Sequence, residues 1–170
     1  MPDEKAASRG KLKTFFETAA AARRSTEPLS KGVAVNIHFR DVAEALPGPG
    51  APDCHFLRTP AGGTVVAGGH ADPDFTLWMP HGAADKLVAM TSNDPGDFGI
   101  EFFRLCMTQD AAAKIYVRLH AGPLRLLSHG YFGVVKSGGW KMLGWLKDKG
   151  VFGLSGFKDA VTRLRERSNK

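Results

Sequence analysis

Residues 71–80 read Ala-Asp-Pro-Asp-Phe-Thr-Leu-Trp-Met-Pro, and residues 81–90 continue His-Gly-Ala-Ala-Asp-Lys-Leu-Val-Ala-Met. Residues 97–107 are Asp-Phe-Gly-Ile-Glu-Phe-Phe-Arg-Leu-Cys-Met, and residues 113–127 are Ala-Lys-Ile-Tyr-Val-Arg-Leu-His-Ala-Gly-Pro-Leu-Arg-Leu-Leu. Phe75, Leu77 and Met79 alternate with Thr76 and Trp78, which predicts a half-buried strand over 74–79. Ile115, Val117 and Leu119 alternate with Lys114, Tyr116 and Arg118 in the same way, a second strand over 114–120. Between them lie a short amphipathic helix over 80–90 and a very apolar one over 98–107. A further apolar helix is expected over 124–135, interrupted by Gly130 and Gly133. Two alternating strands cover one side of a core. The segments around them carry more large apolar groups than a two-layer domain of this size needs, which points to a protein that holds an apolar ligand.

Toward the N-terminus, Leu12, Phe15, Phe16, Ala19 and Ala22 recur at three- and four-residue spacing among Lys and Arg, a helix over 6–24 that Glu27-Pro28 ends. Val33, Val35, Ile37 and Phe39 alternate as a strand, and Asp41 is placed to cap a short helix over 42–46. Residues 47–53 are a loop by their Gly and Pro content. Strands over 55–58 and 64–67 flank the turn at 59–63 and form a hairpin. Toward the C-terminus, helices are expected over 140–147 and 156–167. Strand runs separated from helix runs give an α+β domain: a mostly antiparallel five-stranded sheet covered by helices on one face, with extra terminal helices. The chain divides into an N-terminal amphipathic helix in 1–30, a ligand-binding domain in 31–137 and a C-terminal helical extension in 138–170.

The 170 residues suffice for one domain with a sizeable core. No run of about eighteen apolar residues is present, so nothing in the sequence reads as a membrane-spanning helix. The N-terminal residues are polar and lack the apolar core of a secretory leader, and a cytoplasmic location is expected. Cys54 and Cys106 sit far apart in apolar settings and read as reduced and structural. The formal net charge is +6, and much of the excess lies at the two ends of the chain. Two readings stay open for it: solvated helix faces, or attraction to an anionic membrane surface. No basic stripe interleaved with stacking aromatics is legible, so nucleic acid is not an expected partner.

The six histidines are scattered and none belongs to a metal-binding spacing, so no metal site is expected. Cys54 and His55 would point to opposite faces of a strand. His70, Asp72, Asp74 and His81 flank one strand and could converge at its ends, but turn and cap roles explain them as well. Gly68-Gly69 and Gly138-Gly139 match no phosphate loop and read as turns or hinges. No catalytic residue and no cofactor is expected. The apolar segments are the better lead, since helices apolar all round are either core or the lining of a cavity. Leu77, Met79, Met90, Phe98, Ile100, Phe103, Met107, Leu124, Leu127, Phe132, Trp140 and Leu143 are the candidate lining. After Gly138-Gly139, Trp140, Met142, Leu143, Trp145 and Leu146 are flanked by Lys136, Lys141, Lys147 and Lys149. This helix reads either as an interfacial or lid element or as an ordinary docked helix.

The order of elements resembles the sterol carrier protein 2 family, over roughly residues 33–135. The stretches that carry the resemblance are 64–68, which look like the family's third strand, 71–79, which match a further family strand, and 114–119, in the place of its last. Residues 83–90 and 98–107 take the places of the helices between them. The chain differs from the family pattern at 110–113, in a longer segment after Met90, and beyond Val135. The resemblance implies a five-stranded sheet covered by helices over an apolar tunnel. It also implies non-catalytic binding or transfer of a sterol, fatty acyl or polyprenyl/quinone-type lipid. The alternative is a protein-interaction module or accessory subunit that docks on a membrane-associated enzyme complex.

Overall fold

The alternating stretch around Ile37 forms β1 (Ala34–Arg40), with Ile37 and Phe39 in the core. The computed structural model describes residues 2–42 and 50–150. The other strands are β2 (Cys54–Thr59), β3 (Gly62–Ala67), β4 (Phe75–Pro80) and β5 (Tyr116–Leu119), in one five-stranded sheet of order β3-β2-β1-β4-β5. Among the described residues the helices are α1 (Pro2–Thr18), α2 (Ala20–Thr26), α3 (His81–Val88), α4 (Pro95–Met107), α5 (Pro123–Ser128), α6 (Tyr131–Ser137) and α7 (Gly139–Asp148). The helices expected over 42–46 and 156–167 fall largely or wholly outside the described residues.

The fold is α+β, but the sheet is mixed, which corrects the expectation of a mostly antiparallel one. β2 pairs antiparallel with β1 and β3, and β5 with β4, whereas the central pair β1 and β4 is parallel, Val35 opposite Phe75 through Arg40 opposite Pro80. Side chains alternate across the two faces whichever way a neighbour runs, so an apolar alternation carries no strand direction. Direction is set by the connection 68–74, which leaves β3 and reaches the far side of β1 instead of turning back on β3. Asn36, buried on β1, grips that connection. Its Nδ2 donates to the His70 carbonyl at 3.1 Å and its Oδ1 accepts from the His70 N–H at 2.8 Å.

Helices cover the face that carries Ile37, Phe39, Cys54, Val65, Leu77 and Met79. Leu12 and Phe15 of α1, Ala21 and Ala22 of α2, Leu87 of α3, and Phe98 and Leu105 of α4 join these in one core. The N-terminal segment is therefore part of the same core as the sheet. The single helix expected over 6–24 is two helices, parted at Ala19, whose ψ of 124° is extended. The helix expected over 124–135 is also two, parted at Gly130. There φ is 88°, and a Cβ would lie 2.1 Å from the Pro28 carbonyl oxygen. A residue with a side chain fits neither that conformation nor that approach.

Candidate functional site

A groove of about 460 Å³ opens between α1 and the end of α3. Phe15, Ala19, Val88 and Met90 give it apolar surface; Gly10, Lys11, Thr14 and Thr18 line the rest. Gly10, Thr14 and Thr18 follow one another at four-residue intervals, so they form one stripe of small side chains along α1. That stripe leaves the space. Lys11 stands beside it, bonded to Asp85 at 2.7 Å with both side chains about half exposed. Behind the groove Phe15 lies 5.8 Å from Phe98, and Phe98 lies 6.0 Å from Phe16, ring centre to ring centre.

Of the residues expected to line a cavity, Met90 alone lines this groove. Leu77, Met79 and Phe98 lie in the central core. Ile100 belongs to a separate cluster with Met142 and Leu146, and Phe103 and Trp145 pack at its margin. Leu127 and Phe132 are half-buried. Met107, Leu124, Trp140 and Leu143 are exposed, Trp140 by 89% and Leu124 by 80%. The structure therefore spreads the expected lining over several places. The groove residues Gly10, Lys11, Thr14 and Thr18 were missed because polar and small residues on a charged helix read as its solvent face. The four-residue spacing of the small ones was the available signal.

Asp74 is the centre of a polar cluster at the edge of the core. It is fully buried at the start of β4. Its Oδ1 accepts from Arg125 Nε and its Oδ2 faces His129 Nδ1, each at 2.7 Å. Arg125 also donates from Nη1 to Asp72 at 2.8 Å, and this hydrogen bond, first among its causes, holds the Asp72 carboxyl below its usual range. The Asp74 carbonyl accepts from the His120 and Ala121 N–H groups. Each carboxylate oxygen is thus committed, and the cluster ties α5 to the root of β4. Tyr131 is half-buried alongside, and desolvation above all pushes its phenol well above the ordinary value.

On the other face of the sheet His38 stacks on Trp78 at 5.3 Å, and Arg118 lies 5.3 Å from the same ring. Arg40 and Lys114 both lie over Tyr116. Burial lowers the pKa of His38. At the end of β1, Glu4, Asp41 and His81 converge, their ligand atoms within 4.8 Å of one another, with Ser8 Oγ bonded to His81 Nδ1 at 2.7 Å. Both carboxylates are exposed, and exposed acidic groups gather in this way without a metal, so the cluster supports no metal assignment. Burial raises the thiols of Cys54 and Cys106 to about 12, which leaves both protonated and unreactive.

No protein-family model, curated protein or solved structure matches the chain. Among the described residues no helix is long and apolar enough to cross a membrane.

Proposed function

We propose that this protein binds the apolar part of an amphiphilic lipid in the groove between α1 and the end of α3, and does no chemistry on it. On this reading it is a lipid-binding or lipid-transfer domain of the sterol carrier protein 2 type, with a fatty acyl, sterol or polyprenyl/quinone-type ligand. The observation that carries the reading is the groove itself. Its volume of about 460 Å³ is within the range of small-molecule sites, and it has an apolar floor and one cation at its side. Each methylene buried there contributes about 0.8 kcal/mol. Ordering the chain and the groove offsets much of that, which leaves affinity in the micromolar range, about −8 kcal/mol. Lys11 supplies a partner for an acidic head group, at the expense of its exposed pair with Asp85.

Native mass spectrometry of the purified protein tests the reading. The expected result is a co-purifying lipid, or a one-to-one complex after addition of a long-chain fatty acid. A protein that stays empty at fatty-acid concentrations of about 100 μM, well above a micromolar Kd, would contradict it.

A further inference from the structure

We infer that the outward face of α7 docks on an anionic phospholipid surface, with Trp140 as the anchor. The inference deepens the lipid-binding reading by naming the surface with which ligand is exchanged. It rests on that reading for its purpose, not for its geometry.

α7 is two-faced, and its two faces are already assigned. Met142 and Leu146 are buried against Ile100 of α4. At 3.6 residues per turn, Trp140, Leu143 and Lys147 lie on the other side. Trp140 is 89% exposed there and Leu143 37%. The exposure does not come from a loosely attached helix. A Cβ on Gly99 would lie 2.7 Å from Met142 Sδ, and one on Gly96 2.5 Å from the Gly138 carbonyl oxygen, so α4 and α7 approach as closely as glycine permits. Lys141 pins the same helix to Asp97. The tryptophan is therefore held outward by a docked backbone.

Charge selects the occupant. Lys147 is about two turns from Trp140, roughly 10 Å along the axis, and Lys136 is exposed at the end of α6. Neither has a carboxylate partner among the described residues. Exposed lysines four and seven residues from one exposed indole match an anionic lipid surface, where the ring enters the interface, its N–H stays hydrated, and the cations meet head groups. A protein partner would call for a contiguous apolar patch of several hundred Å², and among the described residues of α7 two side chains among lysines do not supply one.

Co-sedimentation with vesicles tests this. The full chain is expected to bind vesicles of phosphatidylcholine with phosphatidylserine and not vesicles of phosphatidylcholine alone. About 0.5 M salt should release most of it, because that concentration screens exposed charges over a few Å. Trp140→Ser should weaken binding about tenfold or more, from the loss of one buried aromatic side chain. Lys147→Gln should weaken it less and reduce its salt dependence. Both positions are exposed, so melting temperature should not change, and fatty-acid binding in the absence of vesicles should match the wild type. Wild-type protein that ignores anionic vesicles overturns the inference, as does Trp140→Ser protein that binds them normally. A partner protein captured through Trp140 without vesicle binding overturns it too. Loss of fatty-acid binding in the wild type would instead count against the groove.

Discussion

Replacing Asp74 by Asn keeps the shape of the side chain and removes its charge. The carboxylate is fully buried, and its two oxygens meet Arg125 Nε and His129 Nδ1, each at 2.7 Å. An amide still offers its oxygen to Arg125 Nε, and its N–H can meet His129 Nδ1 only once the imidazole carries its proton on Nε2, so the charge opposite Arg125 is lost and the His129 contact reverses direction. Breaking a buried pair by removing one partner costs about 3–5 kcal/mol when the other charge is stranded. Here Arg125 and His129 are 35% and 28% exposed, and Arg125 keeps Asp72 at 2.8 Å, so water and the second carboxylate recover part of the loss. The expected cost is about 2–3 kcal/mol, which for a chain of this length lowers Tm by about 4–12 °C. Thermal unfolding followed by circular dichroism measures it. Hydrogen exchange should locate it, because the Ser30 N–H donates to the His129 carbonyl and should lose protection first. Asp72→Asn, at an exposed position, should do little. A Tm within about 2 °C of wild type for Asp74→Asn would refute the view that this carboxylate locks α5 to the sheet.

Two further outcomes follow from the two thiols, buried at Cys54 and half-buried at Cys106, and from the contact between α4 and α7. At pH 8 neither Cys54 nor Cys106 should react with an aromatic disulfide reagent in the folded protein, and both should react after unfolding, since burial raises each to about 12. The Lys141 hydrogen bond, and after it the Ser92 one, hold the Asp97 carboxyl below its ordinary value. A lowered folded value means that its stabilisation is present above the unfolded value and fades as pH falls through the folded one. Acidification below about pH 4 should therefore loosen α7. Asp97→Asn should flatten that part of the pH dependence of Tm; an unchanged profile would assign the acid sensitivity elsewhere.

Ile37, Phe39, Leu77, Met79, Val117 and Leu119 alternate in the sequence and face the helices or the neighbouring core in the structure, so the strands were legible from period two alone. Strand direction was not. The parallel pairing of β1 and β4 depends on where the connection 68–74 goes, and the residue that holds it, Asn36, looks like any polar position of an alternating strand. The breaks at Ala19 and Gly130 were obscured for a related reason. Ala19 is a good helix former, and Gly130 shows its necessity only when Pro28 is beside it. The pairing of Asp74 with Arg125 joins residues far apart in sequence, beyond any local spacing. For the candidate site, apolarity led to the core and to exposed positions as readily as to the groove. Space for a ligand is made by small side chains, and Gly10, Thr14 and Thr18 carry no hydrophobic signal.

The groove claim is tested most directly by titrating a fluorescent long-chain fatty acid into the wild type and into Gly10→Trp. Gly10 lines the groove and a Cβ there meets nothing within 4 Å, so a larger side chain at this position has open space at the groove's edge. Gly10→Ala is the control, and by helix propensity alone it should gain about 0.8–1.0 kcal/mol of stability. Saturable micromolar binding is expected for the wild type and the alanine variant, and at least about tenfold weaker binding for the folded tryptophan variant. Equal binding by all three, or none by the wild type, would contradict the groove claim.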